Sequence, residues 1–392
     1  MSNSPLKGVR VVALEQAVAG PYCSFVMAEL GAEVIKVEKV DGGDVIRGWD
    51  NVVSGLSSGF VWVNGGKRDI AVDIRTAEGR DIIRKLALTA DVFLENFTPG
   101  ALERAGLGHK ELMAENPRLI YTSLSGYGAT GPYKRAKAFD LLIQGESGIL
   151  LMNGSPAEPA KVALPMVDLV AGTTALAGIL SALYERVTTG EGRYLDVSML
   201  DSVALWLGYF PHYAWNDRQA PPRTGMHHHS IVPYGPFRAS DDHYINLVAG
   251  SDFQWRTLCA DVLDRQDWTS DSRFSTVAAR AAHRSLLQQL LTDLIGSKPA
   301  EYWISRLRDT DLPFGEVRTV EDAVQHPQLI ARQMIVRADT PVGQVPTFRF
   351  GLADPGRVRQ VPAMGEDTDS LLKELGYGSE QIDKLRQTGA VA

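Results

Sequence analysis

The chain has 392 residues, 44% of them hydrophobic and 22% charged, a balance that excludes disorder, coiled coil and collagen as its main state. That length exceeds what one small core needs, so two packed regions, or a large domain carrying a smaller one, are expected. Lys and Arg number 40 against 47 Asp and Glu, a formal charge of -7, which is the wrong sign for non-specific capture of nucleic acid or an anionic membrane.

The first predicted strand is the β-rich run Val9 to Leu14, and the Gly20-Pro21 pair that follows suits the opening of a helix over Pro21 to Leu30. Gly31 supplies a stop, and Ala32 to Glu38 reads as a second strand, giving a strand–helix–strand unit of about thirty residues. The alternation continues with a helix over Gly79 to Leu88, a strand over Asp91 to Asn96, a helix over Gly108 to Glu115 and a strand over Arg118 to Leu124. Such alternation predicts an α/β, doubly wound domain around a parallel sheet. An Ala-rich apolar run from Val167 to Thr188 predicts a buried helix, and Tyr194 to Ser198 a further strand of the same domain. Apolar periodicity lapses between Asn216 and Arg223, which marks a linker. Beyond it, Ser230 to Thr319 mixes short strands such as His243 to Val248 with helices such as Ala281 to Ile295, a smaller α+β region.

Cys23 and Cys259 are the only cysteines, too few for a disulfide scaffold or a Cys-based zinc site, and they fit a reducing, cytoplasmic setting. Met1 to Lys7 has no apolar signal core. The longest mostly apolar stretch, Leu169 to Tyr184, is interrupted by Gly and Thr and reads as too short to span a bilayer, so no membrane association is expected.

Gly126-Tyr127-Gly128-Ala129-Thr130-Gly131 has the spacing of a dinucleotide phosphate loop, but Pro132 to Lys137 follows it in place of an apolar helix start, so a structural turn is expected. Gly55 to Gly59 has the nucleophile-elbow spacing; with no buried strand before it and a β-like Phe60 to Val63 after it, it reads as a loop. His227-His228-His229 reads as a polar loop and not a metal site, because adjacent histidines cannot all face one ion and no spaced carboxylate completes a shell. Lys134, Arg135 and Lys137 are either a solvated surface or a phosphate-binding corner. Asp168 stands between Leu164-Pro165-Met166-Val167 and Leu169-Val170-Ala171-Gly172, where a charge is expensive unless used or paired. On composition alone it is a helix N-cap, a role compatible with a chemical one.

Taken in order, Leu6 to Val12, Ala19-Gly20-Pro21, Leu30 to Glu38, Gly43-Asp44, Gly66-Lys67-Arg68, Glu95 to Gly100, Gly126-Tyr127-Gly128, Val167 to Gly172, Thr189 to Arg193, Gly365 to Thr368 and Leu375-Gly376-Tyr377 resemble the family III CoA-transferases nearly end to end. That group includes formyl-CoA transferase, carnitine CoA-transferase and α-methylacyl-CoA racemase. The resemblance implies a Rossmann-like large domain with a parallel sheet, a smaller α+β domain, and two subunits threaded through each other as an interlocked homodimer. The expected division is 1–215 for the first part of the large CoA-binding domain, 216–229 for the linker, 230–325 for the small domain, and 326–392 for a return segment completing the large one. The position of the family's catalytic aspartate matches Asp168; positions that contact CoA match Val18, Ala19, Lys39, Asn96, Phe97, Arg104 and Lys137. The implied partners are an acyl-CoA and a small carboxylic acid, with no metal and no cofactor beyond the CoA thioester that serves as substrate.

Two departures from the family pattern bear on chemistry. The racemase branch carries a histidine just before the aspartate that is Asp140 here, and this chain has Phe139, which cannot shuttle a proton; that argues for transferase over racemase or epimerase. The glycine-rich lid of formyl-CoA transferase corresponds to Gly225 to Tyr234, which lacks that composition and argues against an oxalate and formate pair. Dicarboxylates such as succinate, citramalate, itaconate or mesaconate are candidate acids, with Arg47 and the His227 to His229 loop candidate contacts by location only. An NAD-dependent oxidoreductase rests on Gly126 to Gly131 alone, and a non-catalytic CoA-binding protein would have no use for Asp168.

Overall fold

The computed structural model describes residues 4–392. In chain order the elements up to the first long crossover are β1 (Arg10–Leu14), α1 (Ala19–Glu29), β2 (Glu33–Glu38), α2 (Ser58–Asn64), β3 (Lys67–Ala71), α3 (Ala77–Leu88), β4 (Val92–Glu95), α4 (Ala101–Arg104), α5 (His109–Glu115) and β5 (Ile120–Ser125). Then come α6 (Asp140–Glu146), α7 (Ile149–Met152), α8 (Met166–Thr189), β6 (Tyr194–Ser198) and α9 (Met199–Trp206). The chain forms two compact units. The larger holds the described residues up to Ser147, then Val162–Tyr209 and Pro327–Ala392; the smaller holds Gly148–Lys161 and Phe210–His326. The segment expected as a linker, 216–229, lies within the smaller unit, which also takes in the short excursion around α7.

The larger unit is built on a six-stranded sheet in the order β3-β2-β1-β4-β5-β6, parallel throughout. Parallel strands covered on both faces read as apolar runs, and Val11, Val12, Ala13, Val34, Ile35, Val92, Phe93 and Leu94 are all buried. On one face Ile82, Ile83 and Leu86 of α3 and Leu112 of α5 pack with Leu371, Leu372, Ile382 and Leu385 from helices Thr368–Glu374 and Ser379–Gln387. Residues 327–392 thus complete the core that the first strands begin. Glu29 at the end of α1 fastens the same segment, its Oε2 accepting from Arg359 Nη2 at 3.1 Å in a buried pair.

On the other face α1 lies against α8. Val167, Ala171, Ala175, Ile179, Ala182 and Arg186 form a buried stripe at helical spacing on α8. Gly172 lets the two helices approach closely, since a Cβ there would stand 2.6 Å from the Ala19 carbonyl oxygen. The sequence expectation that the 169–184 stretch is too short to span a bilayer is corrected: the helix runs 24 residues, enough by length and composition, because its ends recruit Met166, Val167 and Val187. The outward side of α8 and α9 is apolar as well, with Tyr184, Val187 and Leu205 each more than 80% exposed.

A second correction concerns residues 60–63, which are helical and not β-like. The Asp50 carboxylate accepts from Ser58 N at 2.8 Å and Ser58 Oγ at 2.7 Å, which sets the first turn of α2. Phe60, Val61 and Val63 then bury one side of that helix, and the Arg47 guanidinium lies 3.6 Å from the Phe60 ring centroid. Tertiary packing overrides β propensity here.

The smaller unit has a three-stranded antiparallel sheet of β7 (Tyr234–Arg238), β8 (Tyr244–Val248) and β9 (Phe314–Glu316), in that order. Its own core holds Phe237, Ile245, Leu247, Trp255, Trp268, Phe274, Leu287, Leu291 and Trp303. The single helix expected over 281–295 is two, Val277–Ala282 and Arg284–Ile295, broken at His283.

Candidate active site

The strand order fixes where a ligand belongs. β2 and β3 lie on one side of β1 and β4 to β6 on the other, so the chain reverses direction across the sheet between β1 and β4, and a crevice opens beyond their carboxyl ends. Crossover helices between parallel strands run opposite to them, so α1 and α8 both begin at this same edge. Val18 and Ala19 are buried at the start of α1, where the first N–H groups of a helix point outward and favour an anion.

Asn96 closes the crevice floor. Its Oδ1 accepts from Gln16 N at 2.9 Å and its Nδ2 donates to the Gln16 carbonyl at 2.8 Å, tying the loop after β4 to the loop after β1. Next to this tie is a cavity of about 370 Å³ walled by Leu14, Gln16, Lys39, Val72, Arg75 and Phe97. Two of the expected contacts, Lys39 and Phe97, therefore meet in one cavity, while Val18, Ala19 and Asn96 shape the adjoining loops. Arg104 and Lys137 do not line it. Arg104 is exposed on α4 and folds back on Gly100, and Lys137 is exposed in the loop after β5, where Ala138 packs against Gly126. That loop, 126–139, makes turns and no helix before Asp140, and Ala129 N donates to the Asp196 carboxylate at 3.0 Å.

The loop after β1 rests on a buried ionic network. Lys36 Nζ donates to Asp44 Oδ2 at 2.8 Å and to the Glu15 carbonyl at 3.3 Å. Lys67 Nζ donates to Glu15 Oε1 at 2.7 Å and to the Pro21 carbonyl at 3.0 Å. Asp44 Oδ1 accepts from Ala17 N at 2.9 Å, and this bond holds Ala17 at φ 62°, a left-handed conformation that costs a residue with a side chain energy. The shape of the loop presenting Val18 and Ala19 is thus set from beneath by Lys36 and Asp44. Nearby, burial and then the Glu38 carboxylate raise Asp69 to about 9, whereas Arg47, bonded to Glu38 through Nε at 2.9 Å and Nη2 at 2.8 Å, overcomes burial and draws Glu38 down to about 2. Arg47, considered above as an acid contact by location, is committed to Glu38 and to the Phe60 ring.

Asp168 is not the N-cap of α8, which corrects the expectation from composition. Pro165 occupies the cap position and Asp168 is the third helical residue. Capping is done from a distance: Asp140 Oδ1 accepts from Val167 N at 2.7 Å and from Asp168 N at 3.4 Å. The Asp168 carboxylate itself takes no hydrogen bond from any described residue. Burial, and then the like charge of Asp140, push it up to about 7. A half-buried carboxylate without a partner, in the first turn of a helix opening at the ligand edge of the sheet, is available for chemistry. Glu95, the other carboxyl that burial lifts to about 7, is engaged by its own loop through Phe97 N at 2.8 Å.

Arg75 was not singled out from the sequence, and Asp140, Asp44 and Lys36 entered there only within the family resemblance, without the roles the structure gives them. Lys36 had a readable signal, a lysine within the apolar strand Val34-Ile35-Lys36-Val37 that must be paired if buried. Asp140 had none, since its partner N–H groups lie 27 and 28 residues away.

The six-stranded parallel sheet thus opens a crevice at its carboxyl edge, with Asp168 in the first turn of a helix that begins there. Residues 6–368 match the sequence profile of CoA-transferase family III. A succinyl-CoA:glutarate CoA-transferase of Homo sapiens is 32% identical over 401 residues, covering 100% of this chain and 91% of that one. An acetyl-CoA:oxalate CoA-transferase of Acetobacter aceti is 33% identical over 377 residues, covering 95% and 96%. Among solved structures, a CAIB/BAIF family protein from Brucella suis superposes with a TM-score of 0.83 at 34% identity, covering 95% of this chain and 100% of that one. The chain belongs to CoA-transferase family III, and it is an enzyme of that type.

Proposed function

We propose that this enzyme moves CoA from a donor such as succinyl-CoA to a small carboxylic acid by covalent catalysis at Asp168. The observation that carries the reading is the unpartnered, half-buried Asp168 carboxylate, whose elevated basicity makes it a strong oxygen nucleophile that remains substantially ionised at neutral pH. Asp168 attacks the donor thioester carbonyl and expels CoA thiolate, leaving an acyl–aspartyl anhydride. The thiolate attacks the aspartyl carbonyl and releases the donor acid, leaving an aspartyl-CoA thioester. The acceptor carboxylate then attacks this thioester, and the freed thiolate takes the acceptor acyl group from the second anhydride, restoring the Asp168 carboxylate. No step needs a metal or a further cofactor. Phe139, 69% exposed and directly before α6, offers no proton-transfer group, which favours transfer over racemisation.

The relatives' acids differ, glutarate in one and oxalate in another, so the direct test is an acceptor screen with succinyl-CoA and acetyl-CoA as donors and products read by mass spectrometry. Transfer to at least one acid with release of the donor acid is expected; deuterium uptake at the acyl α-carbon in heavy water without any transfer would replace this reading with a racemase.

For CoA itself we assign Lys39, Arg104 and Lys137 to the phosphates, with Val18, Ala19, Asn96 and Phe97 as shaping contacts. Charge in an otherwise acidic chain supports this, as does the placement of Val18, Ala19, Lys39, Asn96, Phe97 and Lys137 on strand-end loops or the helix start that follows, with Arg104 at the end of the short α4. The Lys137→Ala variant is expected to raise the KM for acyl-CoA about tenfold with kcat little changed, a loss of about 1.4 kcal/mol of uniform binding. Unaltered KM in Ala variants of all three cations would move the CoA site elsewhere.

The exposed apolar surface of Tyr184, Val187, Leu205 and Trp206 on α8 and α9 supports an obligate, interlocked homodimer. Light scattering on dilution should show no folded species of 42.8 kDa; a stable monomer of that mass would sink the interlocked arrangement. Both cysteines are free and buried, which supports a reducing, cytoplasmic setting.

A further inference from the structure

The glycine-spaced segment Gly126 to Gly131, left without a task by the chemistry above, is the base of an exposed arm. Gly126 is fixed to the body of the larger unit, its carbonyl accepting from Leu200 N at 3.1 Å. A Cβ on Gly126 would stand 2.1 Å from the Ala138 Cβ, so glycine lets the two ends of the arm close on each other. Gly128 N donates to Ser125 Oγ at 3.0 Å. From Thr130 to Lys137 every residue is exposed, and among the described residues no hydrogen bond or ion pair ties this stretch to the rest of the chain. Its one ring contact, Tyr133 stacked on Tyr127 with centroids 5.4 Å apart, only folds the arm onto its own base.

Where the arm leaves this base, a single side chain holds it. Asp196, in the middle of β6 and paired with Ser123 of β5, sets both carboxylate oxygens against Ala129 N, Oδ1 at 3.1 Å and Oδ2 at 3.0 Å. It has no other hydrogen bond and no ion pair among the described residues. An exposed carboxylate on the last strand of a sheet also deters a further strand from pairing, but that role leaves its oxygens free, and here both converge on one N–H. Asp140, just beyond the arm, is secured separately: its Oδ2 accepts from Gln144 Nε2 at 2.5 Å and its Oδ1 from Val167 N at 2.7 Å. Loosening the arm therefore leaves the start of α8, and Asp168 with it, in place.

A charged acceptor grips a backbone N–H more firmly than a neutral one, and restraining a loose segment beforehand removes ordering that a ligand must otherwise impose. We infer that Asp196 is a positioning residue for CoA binding: by holding Ala129 it restrains the arm that carries Lys137, and so fixes where that ammonium group meets the phosphates. The inference rests on the assignment of Lys137 to CoA made above; the clamp on the arm does not.

The test pairs Asp196→Ala, which removes the acceptor, with Asp196→Asn, which keeps an oxygen for the Ala129 N–H. Because Asp196 is exposed, both should unfold near the wild-type temperature. CoA is titrated calorimetrically into the full-length protein, which reads binding without turnover. Asp196→Ala is expected to weaken CoA binding about fivefold with kcat within about twofold of the wild type, and Asp196→Asn to restore the affinity. In a Lys137→Ala background Asp196→Ala should cost nothing further, since the arm then brings no Lys137 to the ligand. Without CoA, trypsin should cut after Lys134, Arg135 or Lys137 at least about threefold faster in Asp196→Ala than in the wild type or Asp196→Asn, a response that follows the arm's mobility and not global stability. Normal CoA binding by Lys137→Ala would fail the Lys137 assignment and take the inference with it. Normal binding by Asp196→Ala beside a weakened Lys137→Ala overturns the inference alone. Tighter binding by both Asp196 variants would reveal a charge that merely repels the phosphates and overturns it too, as do an additive loss in the double variant or unchanged tryptic cleavage.

Discussion

Asp168→Asn is expected to reduce CoA transfer by roughly 10³-fold or more, because an amide cannot form the anhydride, and at the same time to make the protein more stable above neutral pH. The second effect follows from the raised pKa. The folded chain holds the Asp168 proton up to about 7 and the unfolded chain releases it near 3.8, so the folded state binds more protons in that window and loses stability as pH rises through it. Above that window the aspartate burdens the fold with a buried, unpaired charge that asparagine does not carry. A gain of about 1–3 kcal/mol is expected at pH 8, shrinking to nothing below pH 4, measured by urea unfolding at both pH values. The same titration should appear in kinetics as a fall of kcat/KM below about pH 7. Asp140→Asn removes the like charge but keeps an oxygen for the Val167 and Asp168 N–H groups, so it should move that acidic limb to lower pH. An unmoved limb, or an Asp168→Asn enzyme with substantial turnover, would return Asp168 to a structural role.

The second large effect is expected at Lys36. Lys36→Met strands Asp44 as an uncompensated buried charge, a change that costs about 3–5 kcal/mol in comparable settings. It also loosens the acceptor that holds Ala17 in its left-handed conformation, so the acyl-CoA KM should rise along with the loss of stability. Adding Asp44→Asn removes the orphaned charge while leaving an oxygen for the Ala17 N–H. This double variant should recover most of the stability and most of the CoA affinity. Denaturant midpoints and acyl-CoA KM values for the two variants decide it: a single variant within 1 kcal/mol of the wild type would show that the network does not bear on the loop above it.

The parallel strands and their crossover helices were legible because each carries its own local signal. Runs such as Val9 to Leu14 and Val34 to Val37 are apolar on both faces, and Gly31, with φ 106°, ends α1 where a side chain would be strained. What was not legible is settled between distant residues. The helix at Ser58–Asn64 depends on Asp50 and on a buried face, and local β propensity points the other way. Asp168 looked like a cap because an aspartate before an apolar run usually is one, whereas the capping carboxylate comes from Asp140. The residues proposed for CoA stand out only by resemblance, since Lys39, Arg104 and Lys137 have no sequence pattern in common, and of the three only Lys39 lines the crevice cavity. The histidine loop was legible as polar, but the cavity it lines needs β8, Gly235 and Phe314, none of which is adjacent to it in sequence.

The far end of the chain is stitched to its beginning. Asp73 N donates to the Ala390 carbonyl at 2.9 Å, Ala392 N to the Ala71 carbonyl at 3.3 Å, and Val391 is buried beside Val72. These bonds brace the strand end that leads into Val72 and Arg75, two walls of the proposed CoA cavity. On a ribosome, the first three strands therefore emerge more than 300 residues before the segment that seals them. The smaller unit, complete by His326, is free to fold during that wait. The wall at Val72 and Arg75 is consequently braced only once residues 390–392 have been made, and the proposed CoA cavity is expected to reach full strength only then.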